Sequence, residues 1–110
     1  MDSTLPDAIA TYQAAHDRRD VATALAQFTS DAVVIDDGHT FHDRAGVDEF
    51  LRTAAAEYTF TRTLLSADQI APDQWLVTNH LAGDFPGGVV DLRSEFRLTD
   101  GLIAQLRIAP

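Results

Sequence analysis

Apolar residues recur along the first stretch of the chain at helical spacing. Leu5, Ile9, Tyr12 and Ala15 fall on one face, the three-to-four-residue repeat of a helix with one buried stripe. Pro6 suits the first turn of that helix, which the pattern carries to about Arg18. Asp20 reads as the N-cap of a second short helix that buries Val21 and Leu25 and ends at Phe28. Asp31 and Ala32 lead into a strand, Val33-Val34-Ile35, stopped by Asp36-Asp37-Gly38, and His39-Thr40-Phe41 forms a second short strand. From Ala45, the positions Val47, Phe50, Leu51, Ala54 and Tyr58 make a third helix with a single greasy stripe.

Beyond Tyr58 the period changes from helical to alternating. Thr, Phe, Leu, Ile, Trp and Val dominate segments 60–71, 75–85, 89–99 and 102–109. The breaks between them, Ala71-Pro72-Asp73, Pro86-Gly87-Gly88 and Thr99-Asp100-Gly101, are rich in turn formers. Loops this short make consecutive strands antiparallel neighbours. Three helices followed by a four-strand meander predict an α+β domain with the helices packed on one face of a curved sheet. Apolar residues also fall on both sides of the strands, as in Trp75-Leu76-Val77 and Val89-Val90. The second face therefore needs a cover, and a homodimer formed through the sheet is expected.

Composition narrows the function. The chain has 110 residues, no cysteine and 45% hydrophobic residues, which predicts one domain over 1–110 with a modest core and no disulfide. A formal charge of −9 repels phosphate backbones and anionic lipid, so neither nucleic acid nor a membrane surface is expected as a partner. The start Met1-Asp2-Ser3-Thr4 lacks a basic signal region and no apolar run is long enough to span a bilayer, so a soluble, cytoplasmic protein is expected. His39 and His42 lie beside Asp36 and Asp37 but without zinc-site spacing; no metal and no cofactor are expected.

Two polar residues carry the candidate chemistry. Tyr12 lies on the apolar face of the first helix, and Asp36 ends the first strand. A phenol and a carboxylate meeting at one pocket can hold an oxyanion and move a proton. Each also has a plainer reading: Tyr12 as a core tyrosine bonded to a neighbouring backbone group, and Asp36 as an ordinary turn residue. Asn79-His80 interrupts an otherwise apolar strand, and His80 is the titratable candidate in the sheet, either as a proton shuttle or as a surface histidine. Asp91 and Arg93 share a strand face and read as a surface ion pair, and His16 as a helix-dipole partner.

The order of elements, together with Phe28-Thr29-Ser30-Asp31-Ala32-Val33-Val34, the stretch Phe41 to Phe50 and the closing Phe96-Arg97-Leu98-Thr99-Asp100-Gly101-Leu102-Ile103, resembles the nuclear transport factor 2-like superfamily. Within it the likeness is to the SnoaL-like and ketosteroid isomerase-like branch. The resemblance implies a cone-shaped, curved antiparallel (mixed) sheet wrapped on three N-terminal helices and enclosing an apolar pocket. It implies Tyr12 as the oxyanion-holding tyrosine and Asp36 as the general base, a logic worked out for that isomerase. It puts Ser94 where that branch carries a protonated acid. Asn79, Phe50, Phe96 and Trp75 join Ser94 as expected substrate-binding residues, and His80 joins Asp36 and Tyr12 as a catalytic one.

Two classes of function follow. One is a cofactor-independent isomerase or cyclase acting on a small hydrophobic carbonyl compound. The other is a non-catalytic, homodimeric module that binds an apolar ligand.

Overall fold

The computed structural model describes residues 5–110; Met1–Thr4, read above for charge, lie outside the described residues. Helix α1 spans Asp7–Asp17 and buries Ile9, Tyr12 and Ala15 of the stripe read from the sequence, together with Ala8; Leu5 precedes the helix and packs half-buried against the core. Helix α2 spans Val21–Leu25. Asp20 caps it as expected, its carboxylate accepting from the Thr23 N–H at 3.1 Å.

The expectation that α2 runs to Phe28 is corrected. The helix stops at Leu25, and Phe28 opens strand β1, Phe28–Asp36, which is longer than the three residues first read. The Gln27 carbonyl accepts from Ile103 of the last strand, so the chain has already joined the sheet there. Strand β2 is His39–His42, and helix α3 is Asp43–Arg52, followed by a 3₁₀ turn at Ala54–Ala56 that replaces the continuous helix expected to Tyr58. Strands β3 (Phe60–Ala71), β4 (Gln74–Gly83), β5 (Val89–Thr99) and β6 (Leu102–Ala109) form the meander. Strand β4 ends two residues before the expected boundary, leaving Asp84 and Phe85 in the turn.

All six strands belong to one mixed, curved sheet in the order β2-β1-β6-β5-β4-β3. Every pairing is antiparallel except β1 with β6, which is parallel. The sheet does not close into a barrel, so β2 and β3 are its edges. Two of its hairpins turn on Asp-Gly pairs with positive φ at both residues, Asp37-Gly38 and Asp100-Gly101. That is the two-residue turn whose twist matches the strands it joins.

The alternation of strand side chains divides the sheet into an inner and an outer face. Phe28, Val34, Val77, Phe96, Ile103 and Leu106 point inward and are buried with Ile9, Tyr12 and Phe50 of the helices. Full burial of each such side chain contributes about 1.5–3 kcal/mol. Tyr12 stands edge-on to Phe28 at 5.4 Å and to Phe96 at 6.0 Å between ring centres, which ties α1 to β1 and β5. Its ring is thereby fixed, and with it the direction of its hydroxyl. Among the described residues no helix is long and apolar enough to cross a membrane.

Candidate functional site

The inner face is not packed solid. Between α1, the loop after α3 and the far ends of the strands lies a cavity of about 480 Å³, within the size range of small-molecule sites. Helix α1 contributes Tyr12, Gln13 and His16 to its wall, and the end of β1 contributes Asp36 and Asp37. Phe50, Ala54 and Tyr58 close one side, and Phe60 and Arg62 of β3 close another. The floor is Leu81, Val90, Leu92, Ser94 and Ile108, and Phe85 and Pro86 of the β4–β5 turn reach the rim beside Ala109 and Pro110.

Tyr12 and Asp36 therefore face one hollow. Tyr12 is 5% exposed, and among the described residues its hydroxyl has no hydrogen-bond partner, unlike a core tyrosine tied to backbone. Burial pushes its pKa above the usual phenol value, opposed by the Arg62 cation and reinforced by the charges of Asp36 and Asp17. The phenol is a fixed donor. Asp36 is half-buried, and burial first, then the neighbouring Asp37 charge, lifts its carboxyl above the ordinary range, against a smaller pull from His39. A carboxylate raised in this way is a better proton acceptor than one in water.

Ser94 and Phe50 also line the cavity. Phe96 lies one layer behind, 1% exposed, and supports the Tyr12 ring without reaching the wall. Trp75 sits on the inner face opposite Phe96 but toward the other end of β4, packed against the core outside the cavity.

His80 is not brought to the site. The inner positions of β4 are Val77, Asn79 and Leu81, all buried, so His80 falls on the outer face, where its Nδ1 lies 2.7 Å from Asp91 Oδ1. A role for His80 as a shuttle across the cavity is corrected by this parity. The same contact replaces the expected Asp91–Arg93 pair; Arg93 donates to the Pro110 carbonyl at 3.4 Å instead.

Asn79 faces inward between Val77 and Leu81, opposite Leu64 and Leu92. It is 1% exposed, and both its Oδ1 and its Nδ2 are buried without a hydrogen-bond partner among the described residues. Such an orphaned amide is rare and costly unless a ligand or water completes it.

Two residues of the cavity wall, His16 and Arg62, are not read as site residues in the sequence. Arg62 Nε donates to both Asp17 oxygens, at 3.0 and 3.1 Å, and its Nη2 lies 3.3 Å from His16 Nδ1. His16 stacks on Phe60 with ring centres 5.7 Å apart, so it belongs to the cavity wall and is no mere dipole partner. Burial raises the Asp17 carboxyl, but the hydrogen bonds of His16 and Arg62 and the Arg62 charge outweigh it and hold the pKa below the ordinary value. The signal was available: Tyr12 and His16 are four apart on one helix face, and Arg62 alternates in phase with Phe60.

A helix-backed, open curved sheet over an apolar cavity defines the nuclear transport factor 2-like, ketosteroid isomerase-like fold. Residues 9–106 match the SnoaL-like domain, and the chain belongs to that family. A Sinorhizobium meliloti protein provisionally named a polyketide cyclase is similar over 96% of this chain and 95% of its own, with 30% identity and a TM-score of 0.87. A Mycobacterium tuberculosis protein in complex with estradiol-17β-hemisuccinate aligns with 22% identity over 94% of this chain and 90% of its own, TM-score 0.77. A Mycobacterium Δ5-3-ketosteroid isomerase aligns with 22% identity over 94% and 89%, TM-score 0.76. No curated protein sequence matches the chain.

Proposed function

We propose that the chain binds a small hydrophobic carbonyl compound in this cavity and moves a proton on it without a cofactor. The Asp36 carboxylate removes a proton from the carbon beside the carbonyl, and the Tyr12 hydroxyl donates to the enolate oxygen that results. Asp36 then returns the proton to another carbon, completing an isomerisation; where the ligand carries a second carbonyl, the enolate carbon instead bonds to that carbonyl carbon, its C=O π pair moves to oxygen, and Asp36 gives the proton to the resulting alkoxide, closing a ring. The observation that carries this reading is the shared wall: a phenol with no hydrogen-bond partner among the described residues and a carboxylate of raised pKa on one apolar hollow. The provisional cyclase from Sinorhizobium and the mycobacterial isomerase lend it support by likeness.

The test is deuterium uptake from D2O into 2-tetralone, an apolar ketone with an acidic carbon, followed by NMR. The wild-type protein accelerates exchange over buffer, and Asp36→Asn returns it to the buffer rate. Exchange that survives in Asp36→Asn would reject Asp36 as the base. A second reading, a non-catalytic binder, is favoured by Ser94, a weak hydroxyl where the resemblance calls for an acid. Binding of 2-tetralone without accelerated exchange in the wild type would select it.

We also infer a cytoplasmic homodimer joined through the outer sheet face. Val89 is 59% exposed, and Leu76 lies on the same face. Sedimentation at micromolar concentration gives twice the 12.0 kDa chain mass on this reading, and a monomer rejects it.

A further inference from the structure

We propose that Arg62 is the receptor for an anionic oxygen of the ligand, and that the cavity selects apolar carbonyl compounds bearing a carboxylate. This rests on the cavity being a ligand site and narrows what enters it.

Arg62 is a cation in a mostly apolar wall, its side chain only 16% exposed. A guanidinium offers five N–H donors and no acceptor. One donor, on Nε, is shared between the two Asp17 oxygens, and one on Nη2 reaches His16. Three remain without a partner among the described residues. Donors on a charged group withdrawn from water are costly to leave unmet.

The arrangement also fixes the direction of the fork. Asp17 is not part of the cavity wall and holds Arg62 by its Nε edge, while the Arg62 Cζ sits 5.7 Å from the centre of the Phe60 ring. His16, itself stacked on Phe60, braces Nη2, its Nδ1 accepting from Arg62 at 3.3 Å. The Nη end is thus left to the hollow, and a planar fork with two forward donors matches a carboxylate better than any neutral oxygen.

Charge sets the orientation of such a ligand. Asp36 and Asp37 hold another part of the same wall and repel an anion. A carboxylate therefore seats at Arg62 and leaves the apolar body to reach Asp36. The chain as a whole carries −9 and disfavours anions in general, so any preference for one must arise locally.

The test compares 2-naphthoate with the neutral 2-naphthalenemethanol by titration calorimetry at 0.15 M salt, where the distant field is screened. Wild-type protein binds the carboxylate at least about tenfold more tightly, the scale of one charge-assisted contact. Arg62→Gln removes that preference and leaves the alcohol within a few-fold of its wild-type affinity. Arg62→Lys, which keeps the charge without the fork, loses most of it and stands in should the glutamine variant unfold. Equal affinity for the two probes in the wild type overturns the proposal while sparing the cavity, as does a preference that survives both substitutions. Failure of both probes to bind overturns it together with the ligand-site reading, whereas failure of Asp36→Asn to stop exchange overturns only the latter's chemistry.

Discussion

Replacing Asn79 by leucine removes two buried polar atoms that have no partner and keeps the branched shape of the side chain. Asn79 is 1% exposed, so its amide has been stripped of water and receives nothing in return. An unsatisfied buried group of this kind costs about 1–3 kcal/mol. Leucine is somewhat larger, and overpacking takes back about 1 kcal/mol in a tight core. Here the strain is smaller, because the adjacent Leu81 and Leu92 border a cavity of about 480 Å³. A net gain of about 1–2 kcal/mol follows, which for a domain of this size raises Tm by about 4–8 °C. The assay is thermal unfolding by circular dichroism, repeated in urea so that a change in slope is not mistaken for stability. A Tm that stays put or drops would refute the reasoning, since it would mean that the amide is already satisfied in the free protein by ordered water.

Tyr12→Phe removes a hydroxyl with no partner among the described residues, so stability changes by less than about 1 kcal/mol, while any exchange activity falls at least about tenfold; a large loss of Tm with an unchanged rate would return Tyr12 to the core. Gly83→Ala puts a methyl 2.2 Å from the Thr59 carbonyl oxygen and 2.8 Å from Phe60 Cα, backbone that cannot yield. It should therefore cost more than about 2 kcal/mol in urea unfolding and displace the Phe60 wall. Asp36 holds its proton to higher pH in the folded chain than the ordinary 3.8, so its contribution to stability is complete below that value and is lost as pH rises through the native one. Asp17 has the opposite sign: its contribution is present above 3.8 and is lost as pH falls through its lowered native value. Asp36→Asn should flatten the first branch of the stability profile and leave the second, and a profile identical to the wild type would contradict the assignment.

Much of this fold is legible in the sequence because its devices are local. Asp20 announces a helix start, Asp37-Gly38 and Asp100-Gly101 announce hairpins, and a helical stripe gives way to alternation after Tyr58. Phe28 misleads for a physical reason: it continues the spacing of Val21 and Leu25, but the competing interaction is the long-range pairing of Gln27 with Ile103, which no local pattern contains. Strand β1 is hidden similarly. Its register shifts between Phe28 and Val33, and Thr29 turns its hydroxyl to Asp31 at 2.9 Å, so strict alternation fails where it would have been sought. The site is less legible than the fold. Asn79 and His80 are adjacent, and since strand parity reverses with each residue, the sequence alone leaves open which of the two faces inward. Arg62 carries no motif of its own, and His16 reads as a helix-dipole partner, until the strand and helix are brought together.

On the proposed mechanism, the polar groups of the cavity divide the labour of a proton transfer. Tyr12 and Asp36 are both pushed toward their protonated forms by burial, but they start from 10.0 and 3.8, and burial displaces the phenol further from neutrality still. The phenol therefore remains the hydrogen-bond donor, and the carboxyl, the more acidic of the two from the start, is the group suited to accept a proton. Arg62 pulls the phenol the other way, which strengthens Tyr12 as a hydrogen-bond donor without ionising it. An anion seated on Arg62 would cancel part of that pull. A carboxylate ligand that lies too close to Tyr12 would therefore weaken the donor it needs, and the ligand best suited to this cavity is one long enough to keep its acid at Arg62 and its carbonyl at Tyr12 apart.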